Sequence, residues 1–202
     1  MISIYGFLAV NHPLGKGILV VEAWIPAEAL ANSVSTFNSG HYRYLVVVGG
    51  PIQGISSAPS HPTTYADRAA STLQHFGFDT NKLIKISVPP VSSDRTLNGT
   101  EEVKRWLERS ETYICCVDVF TVGVHARKSW ILSQYVLGHS YRVGIIAGPE
   151  VSFNASHWLL SARGTRVVVR NLAGYTYYKF WILFRGVASS ICLPPFRFLA
   201  EI

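Results

Sequence analysis

The amino-acid sequence predicts an α/β protein with a three-layer Rossmann-like fold. A mostly parallel sheet of about five strands would lie between helices and be followed by a C-terminal helical segment. Five short apolar runs alternate along the chain with stretches whose apolar residues recur at helical spacing. The runs carry few charges, as expected for strands covered on both faces. Such alternation is typical of β-α-β units and a parallel sheet.

The predicted strands are short and are followed by residues that stop a strand. They lie at residues 16–24, 44–48, 82–88, 113–121 and 142–147. In the first, Glu22 follows four consecutive apolar residues. Glycine or proline ends three of the others, at Gly49-Gly50-Pro51, Pro89-Pro90 and Gly148-Pro149.

The predicted helices fill the intervals between strands. Proline suits a first helical turn and glycine a helix end, and the third helix has Asn98 and Glu101 as an N-cap pair. The helices run from Pro26 to Gly40, from Thr63 or Thr64 to Gly77, and over residues 97–109, 126–137 and about 156–184.

The composition indicates one folded domain with a mildly basic surface. Apolar residues make up 49% of the 202 residues and charged residues 15%, which excludes a disordered, tail-like protein. The formal net charge of +6 is spread along the chain, without a block of like charges or a nucleic-acid-binding motif. We therefore expect an anionic small molecule as partner and no nucleic acid. The alternatives are a mildly basic surface without a specific partner, which the charge alone favours, and contact with an anionic membrane surface.

The cysteines show no metal-binding spacing. Cys115 and Cys116 are adjacent in a predicted strand, where alternation would send their side chains to opposite faces. Together with Cys192, they are interpreted as reduced core residues. No metal site and no disulfide framework are predicted.

The two ends of the chain are the most apolar regions outside the strands. We divide the chain into an N-terminal extension (residues 1–15), a Rossmann-like domain (16–174) and a C-terminal apolar helix and tail (175–202). Residues 1–10 are too short to span a membrane and lack the basic start of a signal peptide. For the C-terminal helix, a core-packing or interfacial role is favoured over a membrane span, with Phe180, Trp181 and Phe184 on its apolar side. A cytoplasmic or peripherally membrane-associated location is expected.

The turn after the fourth predicted strand is the strongest candidate for a functional site. Residues 120–129 read F-T-V-G-V-H-A-R-K-S and lead from a strand into a helix, whose first N–H groups and positive end favour an anion. His125 can act as a general acid or base, and Arg127 can hold phosphate or carboxylate. Lys128 is expected to point to solvent. The alternative for His125 is a packing or capping role.

Other candidates follow neighbouring strands, because ligands bind beyond the carboxyl ends of parallel strands. Gly49 and Gly50 permit close backbone approach to a ligand, although no dinucleotide fingerprint or Walker motif is present. Glu22 could act as a base, orient a ligand hydroxyl or pair with Arg95 or Arg127. Arg95 could bind an anion, and the alternative is that this loop only supplies a helix cap, at Asp94 or Thr96. The last candidates are Thr96 and Thr121 as ligand-binding residues.

Several short motifs, taken together, resemble the YdcF/SanA/ElyC-like family of bacterial proteins. In order, they are V-V-E-A-W-I-P at residues 20–26, L-V-V-V-G-G-P at 45–51, T-Y-A-D-R-A-A at 64–70, D-R-T at 94–96 and T-V-G-V-H-A-R-K-S at 121–129. The resemblance covers about residues 18–178. It implies a Rossmann-like sheet with a ligand cleft at the strand ends.

The resemblance also carries expectations about the site. It places the family's glycine pair at Gly49 and Gly50, its His and Arg at His125 and Arg127, and its loop threonine at Thr96. Many relatives have Glu where this chain has Tyr65, here a candidate ligand contact, and Asn where it has Gly99. Relatives are often membrane-anchored and linked to peptidoglycan or undecaprenyl-phosphate processes. Because that anchor is not seen here, a truncated start is one expectation.

The expected function is a small-ligand-binding, enzymatic domain acting on an anionic or phosphate-containing substrate, linked by resemblance to cell-envelope biogenesis. His125 and Glu22 would be catalytic. One alternative is a non-catalytic envelope factor that binds a lipid-linked or protein partner through its C-terminal aromatic segment. Another, by resemblance only, is a protein that binds S-adenosylmethionine or a nucleotide.

Overall fold

The computed structural model describes residues 3–53 and 63–188, and a five-stranded sheet forms its centre. The sheet order is β3-β2-β1-β4-β5, and every neighbouring pair is parallel. This confirms the predicted parallel α/β fold. The strands are β1 Lys16–Glu22, β2 His41–Gly49, β3 Leu83–Ser87, β4 Cys116–Val122 and β5 Arg142–Gly148.

Helices cover both faces of the sheet. The helices are α1 Ile4–Leu8, α2 Ala27–Ser39, α3 Tyr65–His75, α4 Arg95–Arg109, α5 Ala126–Leu137 and α6 Ala162–Ala188. Strand residues alternate between two cores, as the pleat requires. Leu19 and Val21 pack with α2 and α3, whereas Ile18 and Val20 pack with α4 and α5. The two cores therefore fix which strand-end side chains face α4 and α5.

The observed helix starts confirm one predicted cap and correct another. Thr64 caps α3 in a reciprocal capping box with Asp67, as helix-start chemistry favours. The predicted Asn98–Glu101 cap is wrong because α4 begins three residues earlier, at Arg95. The side-chain amide of Asn98 instead donates to the carbonyl of Asp94 at 2.9 Å.

The fourth strand starts later than predicted, which changes the position of Cys115. Because β4 begins at Cys116, Cys115 precedes the alternating strand. The two Sγ atoms lie 2.7 Å apart. The prediction that they face opposite sides of the sheet is therefore wrong.

The C-terminal helix is continuous through the boundary predicted at residue 175. The side chains of Phe180 and Phe184 are 56% and 68% exposed, so a core-packing role is wrong for these two residues. No helix in the described ranges is both long and apolar enough to cross a bilayer.

The N-terminal residues that the structure describes pack onto the domain. Leu8 of α1 is fully buried with Val124 and Val168. His12 pairs with Ile145 across an antiparallel bridge at the outer strand β5. The segment therefore covers part of the outer edge of β5.

A buried carboxylate ties this segment to the sheet. Asp118 in β4 is fully buried and accepts hydrogen bonds from the backbone N–H groups of Leu14 and Gly15 at 2.8–2.9 Å. The hydroxyl of Tyr42 donates to the same carboxylate at 2.7 Å. A Cβ on Gly144 would lie 1.9 Å from Asp118 Oδ1, so the neighbouring strand needs glycine here. These donors offset the cost of burying the carboxylate.

We expect Tyr42→Phe to lower the free energy of unfolding by about 1.5 kcal/mol, because it removes a hydrogen bond to a buried charge. Burial and the bond to Asp118 raise the pKa of Tyr42 above 10. The contribution is therefore present below pH 10 and is lost as the pH rises further, because only the unfolded tyrosine then ionises. Urea unfolding at several pH values measures both effects. Tyr113→Phe, at a tyrosine that is 90% exposed, is the control, and equal stability of the two variants would contradict the role of Asp118.

Candidate functional site

The candidate site lies where the chain leaves β1 and β4 in opposite directions. After β1 it enters α2 on one face of the sheet, and after β4 it enters α5 on the other. Such a switch point opens a crevice at the carboxyl ends of the strands. Val21 is in register with Phe120, so Glu22 and Thr121 are neighbours on the face covered by α4 and α5.

The carboxylate of Glu22 is the centre of the site. Glu22 is 7% exposed. Thr121 Oγ1 donates to its Oε2 at 2.5 Å, and Ser129 Oγ donates to its Oε1 at 2.8 Å. Neither Arg95 nor Arg127 forms an ion pair with Glu22. Two hydroxyl donors from β4 and α5 thus hold the carboxylate, and no Lys or Arg of the described residues forms a hydrogen bond with it.

His125 joins this carboxylate to two other elements. Its Nε2 lies 3.5 Å from Glu22 Oε2 and 3.4 Å from Thr96 Oγ1, and its Nδ1 lies 2.9 Å from Asn171 Oδ1. The amide nitrogen of Asn171 donates to the carbonyl of Val167. Its oxygen therefore faces the imidazole, which assigns the proton to Nδ1 and leaves Nε2 to accept one.

The protonation of His125 is set by opposing effects. Burial lowers the pKa of His125, and the nearby Lys128 acts in the same direction, while the Glu22 carboxylate raises it. Burial dominates, so the neutral imidazole is favoured at neutral pH. The side chain is 15% exposed, which leaves it reachable from solvent.

Lys128 is turned inward, contrary to the expectation that it points to solvent. Its Cδ lies 3.3 Å from where a Cβ on Gly174 would stand, so the missing side chain on α6 makes room for it. Burial lowers the pKa of Lys128, against the attraction of Glu22. Arg170 adds a second positive charge from α6. The site therefore contains a partly desolvated cation beside a neutral histidine.

The mouth of the crevice carries an exposed ring and a strained residue. The ring of Trp24 is 42% exposed and meets the His125 ring edge-to-face, with 4.9 Å between centroids. Asp94 has φ 57°, the one positive value outside glycine in the described chain. Its carboxylate accepts from the hydroxyls of Tyr178 and Ser93 instead of capping α4. A strained residue held this way is typical of functional sites.

Unlike Lys128, the predicted anion ligands Arg95 and Arg127 do not point toward Glu22 and His125: Arg127 contacts α1, and Arg95 is exposed. Arg127 donates from Nε to the carbonyl of Phe7, and its guanidinium lies 4.0 Å from the centroid of the Phe7 ring. It is therefore engaged with α1. Arg95 is the exposed first residue of α4, next to Thr96 at the rim.

The glycine pair and Tyr65 are also separated from His125. A Cβ on Gly49 would lie 2.8 Å from Tyr65 Cβ and 3.0 Å from Ala23 Cβ, so this glycine lets α3 pack on the sheet. The N–H of Tyr65 donates to the carbonyl of Gly50 at 2.8 Å. Both contacts belong to the start of α3, on the face opposite α4 and α5.

Sequence reasoning missed the residues that α6 supplies. Asn171 and Tyr178 lie on α6, and no local sequence motif indicates that this helix packs against the site. Ser129 did carry a signal, because it follows His125 by four residues in a helix and must share its side.

Neither of two surface depressions coincides with the candidate site, and no metal-ligating cluster is found in the described residues. Two depressions, of about 200 Å³ beside Lys85 and about 520 Å³ beside Pro149, lie away from His125. Within residues 3–53 and 63–188, no group of three or more His, Cys, Asp or Glu side chains is placed to hold a metal ion. The candidate site therefore rests on the contacts of Glu22 and His125 themselves.

Comparisons with known proteins add little to this geometry. No protein-family model and no curated protein matches the chain. Among solved structures, it is similar to a protein described as pantoate-beta-alanine (pantothenate synthetase) from Thermus thermophilus, with a TM-score of 0.37 and 12% identity over 94% of this chain and 75% of that one. A likeness this weak carries no functional argument, and the fold rests on the sheet itself.

We expect Glu22→Gln to lower the pKa of His125 further, because it removes a negative charge 3.5 Å from Nε2. Lys128→Met removes a positive charge and should raise the same pKa. NMR titration of the imidazole signals, assigned by their loss in His125→Gln, measures both shifts. If the two substitutions leave the titration unchanged, His125 is not electrostatically coupled to either residue.

Proposed function

We propose that this domain binds a small anionic, phosphate-containing molecule in the crevice between β1 and β4, and that His125 transfers a proton in a reaction on it. The observation that carries the proposal is the pairing of a neutral histidine with an inward-turned, partly desolvated lysine. Ionisable side chains whose pKa values are shifted by burial, gathered in one cleft, are typical of catalytic sites.

The anion-binding part rests on two cations, Lys128 and Arg170, for which no salt bridge is found within residues 3–53 and 63–188. Lys128 and Arg170 lie near each other, and burial disfavours the charge on Lys128. A bound phosphate would relieve both effects. The start of α5 adds the positive end of a 12-residue helix, while the N–H of Ala126 itself already donates to the carbonyl of Gly123. Arg95 at the rim would add a further cation.

The proton-transfer part rests on the three contacts of the imidazole. Asn171 fixes the ring so that Nε2 is free to accept a proton. Once His125 is protonated, the Glu22 carboxylate at 3.5 Å would stabilise the charge. This arrangement suits a general base that works near neutral pH. The exposed ring of Trp24 beside it offers a flat surface on which a nucleobase or another planar group could stack.

We expect Lys128→Met to weaken anion binding by about tenfold or more, because a charged hydrogen bond contributes about 1.5–3 kcal/mol. Titration calorimetry with inorganic phosphate and adenosine monophosphate measures the affinity, and mass spectrometry of the native protein identifies small molecules that co-purify with it. His125→Gln should retain binding and lose conversion of a co-purified molecule.

The matched control for this experiment is Lys104→Met. Lys104 lies on α4, has a 41% exposed side chain and is 3.9 Å from Glu108, so its charge is already solvated and paired. Equal affinity of the Lys128 and Lys104 variants would refute the anion site.

A second candidate function is attachment of the domain to an anionic membrane surface through α6, and the outer side of that helix favours it. Its 27 residues contain no Asp or Glu and five cations, Arg163, Arg166, Arg170, Lys179 and Arg185. Its second half exposes large apolar side chains, with exposed fractions of 53–68%, at Tyr177, Phe180, Leu183 and Phe184. Basic charge beside exposed aromatic residues is the pattern of a helix that lies in a membrane interface. The envelope link implied by the family resemblance agrees with this candidate.

We expect the full chain to sediment with vesicles of phosphatidylcholine and phosphatidylserine, and the double variant Phe180→Ser/Phe184→Ser to lose this binding. Phe76→Ser, at a phenylalanine that is 45% exposed after α3, is the control and should bind like wild type. Higher salt should weaken binding because it screens the cations. Failure of the wild-type chain to sediment, or equal binding to vesicles of phosphatidylcholine alone, would count against the membrane candidate.

A further inference from the structure

The vicinal cysteines at the start of β4 form a pair of thiols that neither proposed function uses. Their Sγ atoms are 2.7 Å apart, which is well inside the contact distance of two unbonded sulfur atoms. Cys115 is exposed and Cys116 is buried. The pair therefore has one thiol that a solvent oxidant can reach and a second thiol already in contact with it.

The surrounding backbone holds this arrangement in place. The N–H of Arg142 donates to the carbonyl of Cys115 at 3.1 Å, which ties the residue before β4 to the start of β5. On the other side, a Cβ on Gly17 would lie 2.0 Å from the carbonyl oxygen of Cys116, so β1 approaches as closely as glycine allows. The backbone on both sides of the pair is therefore held in place.

Two cations lie near the pair. Burial raises the pKa of Cys116, and its contact with Cys115 acts in the same direction, while Lys16 and Arg142 oppose them. These cations would stabilise a thiolate as it forms, and the thiolate is the reactive form of cysteine. The net effect raises the pKa of Cys116, so the proposal rests on the contact between the two sulfur atoms and on the exposure of Cys115.

We propose that Cys115 and Cys116 are a modification site that closes to a reversible vicinal disulfide when the protein meets hydrogen peroxide. The Cys115 thiolate attacks the peroxide, and its sulfur bonds to one oxygen as the O–O bond breaks. The hydroxide that leaves takes up the proton that Cys115 released, so a sulfenic acid and one water result. The Cys116 thiol then attacks the sulfenic sulfur, the S–S bond forms and a second water leaves. The two sulfurs are oxidised by two electrons, and one molecule of peroxide is reduced to two of water.

The bond so formed would be easily reduced. Adjacent Cα atoms are about 3.8 Å apart across a trans peptide, short of the roughly 4.4–6.8 Å that disulfides prefer. Such a disulfide is strained, and strained disulfides are the labile and regulatory ones. A dithiol reductant would therefore restore the thiols.

The test uses the full chain, treated with hydrogen peroxide, blocked with N-ethylmaleimide and digested with trypsin. Both cysteines fall in one tryptic peptide, residues 110–127. We expect this peptide to lose two hydrogen atoms and to carry no maleimide after oxidation, and to carry two after reduction with dithiothreitol. A peptide that keeps two maleimide groups after peroxide would overturn the proposal.

Variants separate the vicinal bond from other oxidation. Cys192→Ser should form the bond as wild type does, whereas Cys115→Ser and Cys116→Ser should not. A disulfide between the peptide and Cys192, or between two chains, would contradict it. The variants also keep the outcome independent of the anion site, because the pair lies at the opposite end of β4 from Thr121.

Discussion

The burial of the Glu22 carboxylate at the switch point is the constraint on which the site depends. A charged group this deep needs donors on every side. The described structure supplies them from separate parts of the chain: Thr121 at the end of β4, Ser129 in α5 and, at longer range, His125 in the turn between them. Meeting this one requirement ties the start of α5 to the ends of the paired strands β1 and β4. The turn between β4 and α5 is therefore positioned by electrostatics as well as by apolar packing, and its histidine is held close to a carboxylate.

The sheet buries a second carboxylate, and the comparison shows why only one of them suggests chemistry. Asp118 is bonded by two backbone N–H groups and a tyrosine hydroxyl, and these donors join the N-terminal segment to the sheet. Burial and the bond to Asp118 raise the pKa of Tyr42, so its hydroxyl stays protonated at neutral pH. Glu22 is bonded by side-chain hydroxyls and faces an imidazole whose pKa burial has lowered. Asp118 thus stabilises the fold, while the environment of Glu22 contains a group that can titrate.

The sequence predicted the fold better than the site, and the difference has a physical cause. Hydrophobic periodicity depends on neighbouring residues, so five strands and the bounds of α5 followed from local pattern alone. The position of Cys115 did not, because a strand that starts three residues late no longer alternates its side chains. The contribution of α6 was also out of reach. Asn171 lies 46 residues after His125, and only tertiary packing brings its amide to the imidazole. Gly174, which admits Lys128, is an ordinary helical glycine until the facing side chain is known.

Helix geometry alone could have shown which of Arg127 and Lys128 lies on the same side of α5 as His125. Successive residues of a helix turn by about 100°. Measured from His125, Ser129 returns to about 40° and Lys128 lies about 60° away on the other side, whereas Arg127 is about 160° away. Ser129, on the side of His125, donates a hydrogen bond to Glu22. Arg127 lies on the other side of the helix, where it donates to the carbonyl of Phe7. In the H-A-R-K-S segment, adjacency in sequence favoured Arg127, but adjacency on the helix surface favours Lys128. A strand-to-helix turn is therefore better interpreted as the first turn of its helix than as a loop in which every polar residue faces the ligand.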